Sequence, residues 1–257
     1  MPKNANGRLI SQGERGTTII FENPYLLMVR LNPENTTILF FDLEAYVPEP
    51  LRRRPRIASL AANPHLPGVS LIGGVFSVCN PFHIGDPDLD HHWIWETDSE
   101  RDLLISIYSI FREGWKSLAG KKRDEADLIL AGIGISTFDI PFLYTRALIH
   151  SIAPAEDIYE TFCCCRVLDL ASAGIGYIRE RHPIPHPITH NDLVKRFIGE
   201  EKKPGGSTVW DMMDHGDTNS IKSRTGEEVR QIIAIYQAMI TENGSVPPRH
   251  DGTAESR

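Results

Sequence analysis

The sequence predicts an α/β protein in which one mixed sheet carries helices on its faces. Apolar runs rich in β-branched and aromatic residues alternate with segments whose apolar residues recur at helical spacing. Their order along the chain is three strands, a helix, a strand, a helix, a strand and further helices. The chain has 257 residues, of which 41% are hydrophobic and 24% charged, so it can bury a core of this kind.

The first part of the chain supplies three strands, of which the strongest is the run TTILFFDLEAYV at 36–47. Residues 1–35 form an N-terminal extension, in which 17–21 and 25–31 have the composition of a short hairpin. The segment 48–68 is rich in proline and arginine and predicts a loop of about twenty residues, a length typical of functional loops. The runs at 69–81 and 91–97 complete this set of strands.

The rest of the chain alternates between helices and buried strands. We expect a helix at 99–120 with Ser99 as its N-cap, a strand at 126–135 and a helix at 137–153. The run at 163–171 holds three consecutive cysteines and predicts a buried strand, because free cysteine packs as a small hydrophobe. Helices follow at 189–199 and 225–243, the last with Thr225 and Glu228 in capping-box spacing. The polar residues 244–257 predict a disordered tail.

The bulk properties limit the setting in which the protein works. A formal net charge of −7 argues against a large basic surface that coats nucleic acid non-specifically. The sequence has no run of about 18 apolar residues, so it predicts no membrane span. The four cysteines lack the spacing of a disulfide framework, and MPKNANGRLISQGERG lacks the apolar core of a signal peptide. We therefore expect a cytoplasmic protein with reduced thiols.

Two acidic residues, Asp42 and Glu44, stand near the end of the strongest strand. Residues two apart in a strand project to the same face, so these carboxylates lie side by side. Like charges this close raise each other's pKa unless a cation lies between them. Asp139 begins the helix after another strand, at the kind of sheet edge where ligands of α/β proteins gather. Three converging carboxylates suit two hard divalent cations, which can activate water for phosphodiester cleavage.

These residues lie in motifs that resemble those of the DEDD 3′–5′ exonucleases, a family with a ribonuclease H-like fold. The stretch FFDLEAY is similar to the first motif of the family, DxE. LAGIGISTFDIPFL is similar to the second, usually Gly-x-Asn-x-x-x-Phe-Asp. The run 205–236 resembles the approach to the third motif in the subgroup related to the exonuclease domain of family B DNA polymerases. The resemblance implies a ribonuclease H-like mixed sheet flanked by helices, in an exonuclease-like domain at 36–243.

The resemblance also implies a reaction and the residues that carry it. The reaction is metal-dependent hydrolysis of phosphodiesters at the 3′ ends of single-stranded DNA or RNA. Four carboxylates would be catalytic and would bind two ions of Mg²⁺ or Mn²⁺: Asp42, Glu44, Asp139 and Glu228. Asp139 would bind the second ion through water, and Asp169 is expected near the ions but not bound to them.

Basic and aromatic residues near the motifs are candidates for substrate binding. Arg52 and Arg53 belong to an arginine cluster directly after the first motif, which is either a flexible clamp on phosphates or a solvated loop. Arg224 stands where the family has tyrosine and is a candidate to bind the scissile phosphate. Phe138 directly precedes Asp139, where it either contacts substrate or packs in the core.

Three positions depart from the pattern of the family. Gly134 replaces the usual asparagine, Arg224 replaces the tyrosine, and Glu228 falls where the third motif has aspartate. Arginine is always protonated, so it cannot serve as a base. Glu228 is alternatively a helix-capping residue, and Glu227 takes its role if the register slips by one. Two alternatives to an exonuclease therefore stay open: an inactive exonuclease fold that binds nucleic acid or a protein partner, and a structure-selective endonuclease.

Overall fold

Five strands form one mixed sheet in the computed structural model, which describes residues 33–52, 62–118, 127–177, 188–199 and 207–245. The strands in chain order are β1 Thr36–Tyr46, β2 Ser70–Cys79, β3 Asp90–Trp93, β4 Asp127–Gly132 and β5 Arg166–Asp169. Across the sheet they lie in the order β3–β2–β1–β4–β5. The pairs β1–β2 and β2–β3 are antiparallel, whereas β1–β4 and β4–β5 are parallel.

Helices cover both faces of this sheet. Within the described residues the α-helices are α1 Glu49–Arg52, α2 Glu100–Lys116, α3 Asp139–Ile149, α4 Ala155–Cys163, α5 Leu170–Ala173, α6 His190–Phe197, α7 Thr208–Asp214 and α8 Thr218–Ser245. Short 3₁₀ helices span Pro33–Asn35, Ile94–Glu96 and Gly174–Gly176. The predicted α/β fold class, a mixed sheet flanked by helices, is confirmed. None of the helices described here has both the length and the apolar character needed to cross a membrane.

Strand β1 lies at the centre of the sheet and divides the core into two layers. Leu39, Phe41 and Leu43 pack with the apolar faces of α2 and α3, whereas Ile38 and Phe40 pack with the apolar face of α8. This division follows from the period of two that a pleated strand imposes on its side chains. The even-numbered face continues into the acidic end of β1, so its carboxylates point to the layer that contains α8.

The last helix begins earlier than predicted. Helix α8 begins at Thr218, and Oδ1 of Asp217 accepts a hydrogen bond from Ser220 N at 3.2 Å as a helix cap. Thr225 is fully buried inside the helix, and its hydroxyl oxygen lies 3.0 Å from Ile221 O, one turn earlier. The predicted capping box of Thr225 and Glu228 is therefore wrong. A capping box marks a helix start only where the preceding backbone is not helical, and here the buried stripe extends back to Ile221.

The strand predicted at 163–171 is present only at Arg166–Asp169, so its extent over the cysteine run is wrong. Cys163 ends α4, Cys164 is exposed, and β5 begins only at Arg166. Strand β5 lies at the edge of the described sheet and its first residues are exposed, so the cysteines do not enter the core as a strand. Helix α4 has no counterpart among the predicted elements, although Ile158 and Phe162, four residues apart, form its buried face.

The remaining predicted elements are present and of the predicted kind, with shifts at their ends. Ser99 caps α2 as predicted, since its side chain accepts a hydrogen bond from Asp102 N at 3.2 Å. The strand predicted at 91–97 ends at Trp93 and continues as a 3₁₀ helix. The loop predicted at 48–68 starts with α1, and its residues 53–61 lie outside the described residues. The predicted hairpin and residues 246–257 of the predicted tail lie outside them too, whereas α8 continues through Ser245.

Candidate functional site

A cavity of about 330 Å³ opens where β1, the turn after β4 and helix α8 meet. All four predicted carboxylates line this cavity: Asp42, Glu44, Asp139 and Glu228. Asp42 and Glu44 come from β1, Asp139 from the first turn of α3, and Glu228 from the third turn of α8. The fold thus brings together four acidic side chains from three segments that are far apart in the sequence, and their catalytic roles stay predictions.

Three of these carboxylates form a compact group, which we call the carboxylate triad: Asp42, Glu44 and Glu228. One carboxylate oxygen from each lies within 4.8 Å of the other two. Glu44 and Glu228 are only 7% and 8% exposed, so water does not screen their charges well. Three oxygens at this spacing suit a hard divalent cation such as Mg²⁺ or Mn²⁺, which prefers carboxylate ligands.

Without a cation, burial and mutual repulsion favour the protonated forms of Asp42 and Glu44. Burial raises the pKa of Asp42 well above its usual range, and the charges of Glu228, Glu44 and Asp139 raise it further. Burial and the charge of Glu228 raise the pKa of Glu44 to about 8. Two groups act in the opposite direction on Glu44: the charge of Arg224, and the hydroxyl of Thr225, which donates to Oε1 at 3.1 Å.

Asp139 stands apart from the carboxylate triad, on the wall of the same cavity. Its Oδ1 accepts a hydrogen bond from Leu43 N at 3.2 Å, which joins the start of α3 to β1 between Asp42 and Glu44. Burial raises the pKa of Asp139 to about 7, although the Leu43 N–H lowers it. One oxygen of this carboxylate is thus engaged by the backbone, so Asp139 is less free to turn toward the triad.

Arg224 lies one helical turn before Glu228 and its guanidinium reaches into the carboxylate triad. Its Nη2 donates to Glu228 Oε1 at 2.9 Å, and its Nε lies 3.9 Å from Glu44 Oε1. Its Nη1 donates to Thr208 Oγ1 on α7 at 2.6 Å. The side chain is 15% exposed, and it lines the cavity. Its predicted binding to the scissile phosphate stays a prediction.

Arg52, predicted as part of a phosphate clamp, is held in a network outside the cavity lining. Its Nη1 lies 3.1 Å from Asp211 and 2.7 Å from Asp214, both on α7. Its Nε donates to Val47 O at 2.7 Å. Arg52 therefore joins the end of β1 to α7, and binding of a phosphate by this residue would require it to leave two ion pairs.

The other predicted candidates lie in different places. Phe138 lines the cavity, and its ring centroid is 5.3 Å from that of Phe142, which is buried in the core. Glu227 does not line the cavity, and its half-exposed carboxylate lies 3.9 Å from Arg230. Glu228, and not Glu227, is therefore the residue that joins Asp42 and Glu44 in the carboxylate triad. Arg53 lies outside the described residues.

Two residues shape the turn between β4 and α3: Gly134 and Asp169. Gly134 has φ of +79°, a left-handed conformation that glycine and asparagine both adopt readily, which explains why glycine can stand where the family has asparagine. Asp169 accepts hydrogen bonds from Gly134 N at 2.9 Å and Ser136 N at 3.1 Å, and also from the Ser136 hydroxyl. This side chain fixes the turn that presents Asp139, and its expected place near the ions stays a prediction.

Sequence reasoning missed the part of the site that comes from α7. Thr208 binds Arg224, and Trp210 lines the cavity while its Nε1 donates to Ala45 O at 2.9 Å. The sequence gives little indication of this helix, because the run TVWDMMD is short and buries only Val209. The role of Thr225 was hidden by its capping-box spacing, which suggested a helix start and not a partner of Glu44.

Comparison with known proteins gives no family assignment for this chain. No protein-family model matches it, and no curated protein matches it. Among solved structures it is similar to the zinc-ion-bound form of an E. coli exonuclease I complex with single-stranded DNA, with a TM-score of 0.44, 12% identity and coverage of 82% of this chain and 42% of that one. E. coli exonuclease I with a dT13 oligonucleotide gives a TM-score of 0.44, 13% identity, and coverage of 80% and 41%. The chain spans about two-fifths of the length of these structures.

Proposed function

We propose that the protein is a metal-dependent 3′–5′ exonuclease that hydrolyses the terminal phosphodiester of single-stranded DNA or RNA. The observation that carries this proposal is the carboxylate triad, whose oxygens lie within 4.8 Å of one another in a cavity that also holds Asp139. The order of the DxE-like, Phe-Asp and Glu-Val-Arg segments along the chain supports it. Buried carboxylates at this spacing repel one another and destabilise the fold, so a function that needs them is their most direct explanation.

The donor set of the cavity fits a divalent cation. Asp42, Glu44 and Glu228 would hold it with one oxygen each. When bound, such an ion lowers the pKa of a water ligand and offsets the negative charge of the scissile phosphate. The resemblance implies a second ion near Asp139.

The protein groups around the cavity position the substrate and receive a proton. Arg224 offers a permanent positive charge to a phosphate oxygen, but it cannot accept the proton of the attacking water. Asp139 is the cavity carboxylate outside the triad, so it is the candidate to receive that proton. Phe138 presents an aromatic ring to the cavity, where the terminal base can stack.

The test is a time course on single-stranded DNA and RNA oligonucleotides labelled at the 5′ end, with Mg²⁺ or Mn²⁺. We expect products that shorten one nucleotide at a time, and a loss of at least about a hundredfold in Asp42→Asn and Glu228→Gln, because a misplaced ligand set costs rates of that order. Glu227→Gln is the matched control, since its side chain lies outside the cavity lining and should leave the rate unchanged. Wild-type cleavage that survives Asp42→Asn would contradict the proposal.

A second candidate is an exonuclease fold that has lost catalysis and binds nucleic acid or a protein. The ion pair between Arg224 and Glu228 favours it, because it engages one oxygen of the carboxylate triad. Thermal stabilisation by Mn²⁺ in the absence of nucleic acid separates the two. Specific binding stabilises the fold, and Asp42→Asn should remove the effect if the triad is the site. Cleavage of a circular single strand would instead indicate an endonuclease, since an exonuclease needs an end.

A further inference from the structure

Arg224 places a permanent positive charge inside the carboxylate triad. The guanidinium lies 2.9 Å from Glu228 Oε1 and 3.9 Å from Glu44 Oε1, so it contacts two of the three triad members. Arginine remains protonated at every pH at which a protein is folded, so this charge is constant.

The position of this guanidinium is fixed by contacts on several sides. Nη1 donates to Thr208 Oγ1 at 2.6 Å, which ties Arg224 to α7 as well as to its own helix. Only 15% of the Arg224 side chain is exposed, and the side chains of its partners Glu44 and Glu228 are buried as well. Movement of the guanidinium into solvent would leave two buried carboxylates without this counter-charge, which is costly. Arg224 therefore stays in the site as a fixed cation.

Hydrogen bonds already engage three carboxylate oxygens in the cavity. Glu228 Oε1 accepts from Arg224, Glu44 Oε1 accepts from Thr225, and Asp139 Oδ1 accepts from Leu43 N. The triad can still offer one oxygen from each member to a shared ion. Two divalent ions beside the guanidinium would place five positive charges against the four carboxylates that line the cavity.

We propose that Arg224 takes the place of one of the two cations, so that this site binds a single divalent ion. The inference rests on the proposed function, because it concerns the ion held by the same carboxylate triad. Arg224 is then a positioning residue that contacts Glu228 and Glu44 and supplies the positive charge that the second ion gives in a two-ion site.

The number of Mn²⁺ ions bound per chain tests this inference without any measurement of activity. Equilibrium dialysis, with free Mn²⁺ read by electron paramagnetic resonance, is carried out in the presence of thymidine 5′-monophosphate as a phosphate ligand. We expect one ion in the wild type and one in Arg224→Lys, which keeps the charge. We expect two ions in Arg224→Met, which removes the charge and keeps an unbranched side chain. Two ions in the wild type, or one in Arg224→Met, would overturn the inference.

A further variant separates failure of this inference from failure of the proposed function. Asp42→Asn removes a triad member, so binding that is lost in this variant belongs to the triad. Two ions in the wild type and a loss in Asp42→Asn would overturn only the single-ion inference. Equal binding in the wild type and Asp42→Asn would overturn the proposed function as well. If Arg224→Met does not fold by circular dichroism, the wild-type and Arg224→Lys stoichiometries still decide between one ion and two.

Discussion

At the residue scale, the hydrogen bond from Thr225 to Glu44 lowers the pKa of one carboxyl group in the candidate site. The hydroxyl of Thr225 is fully buried and donates to Glu44 Oε1 at 3.1 Å. It favours the ionised form of Glu44 and so lowers the pKa of that carboxyl, against the larger effect of burial. A divalent cation binds the ionised carboxylate, so this hydroxyl makes the site more available near neutral pH.

The change Thr225→Val tests this role with a side chain of similar shape. Without the hydroxyl, the pKa of Glu44 should rise above about 8, because burial then acts with less opposition. We expect the pH at which Mn²⁺ stabilises the fold half-maximally to rise by roughly 0.5–1, the value of one net hydrogen bond. Thermal unfolding with and without Mn²⁺ between pH 6 and 9 measures it. Thr225→Ser keeps the hydroxyl and should match the wild type; an unchanged profile in Thr225→Val would contradict the assignment.

At the element scale, the turn between β4 and α3 depends on a single carboxylate. Asp169 ends β5 and accepts hydrogen bonds from Gly134 N, Ser136 N and Ala171 N at 2.9 Å, 3.1 Å and 3.0 Å. It thereby joins the ends of two neighbouring parallel strands and the start of α5. Because this turn leads directly into α3, the position of Asp139 depends on it.

We expect Asp169→Ala to lower the free energy of unfolding by about 2–4 kcal/mol, since it removes charge-assisted hydrogen bonds and leaves backbone N–H groups without their acceptor. Urea denaturation measures the loss, and nuclease activity should fall with it because Asp139 is displaced. Asp127→Ala is the matched control on the same pair of strands. Asp127 forms a partly exposed ion pair with Arg166 at 2.7 Å, whose loss should cost less than about 1 kcal/mol. Equal costs in the two variants would contradict this account of the turn.

The same scale shows which parts of the fold and site the sequence can predict. Asp42 and Glu44 could be placed on one face because alternation in a strand is a local property. The start of α8 could not be predicted, because Thr225 matches a local capping pattern. Its actual partner, Glu44, is 181 residues away in the sequence. The prediction at the cysteine run 163–165 is wrong for a related reason. Its apolar character predicts burial, but the topology of the sheet places the run between α4 and an edge strand.

At the scale of the whole molecule, the candidate site works against the stability of the fold. Glu44 has a pKa of about 8 and Asp139 a pKa of about 7 in the folded protein, above their ordinary values of 4.5 and 3.8. Between those ordinary values and the raised ones, the folded protein binds more protons than the unfolded chain. Stability therefore falls as pH rises through this interval, and a bound cation offsets the loss.

The change Glu44→Gln should separate this site from the other ionisable groups of the chain. Glutamine cannot ionise, and its amide oxygen can still accept from Thr225, so the variant resembles the protonated site. In the metal-free protein we expect Glu44→Gln to be more stable than the wild type at pH 8 by at least about 1 kcal/mol. Near pH 4.5 the two proteins should be about equally stable, because residue 44 is then neutral in both folded proteins. Added Mn²⁺ should reverse the order at pH 8, because only the wild type keeps the complete carboxylate triad. Urea denaturation at both pH values, with Glu227→Gln as the control, measures these differences. The contradicting result is a Glu44→Gln protein that is less stable than the wild type at pH 8 without metal. It would show that Glu44 is already ionised and paired with Arg224. The charge balance of the cavity would then not depend on a divalent ion.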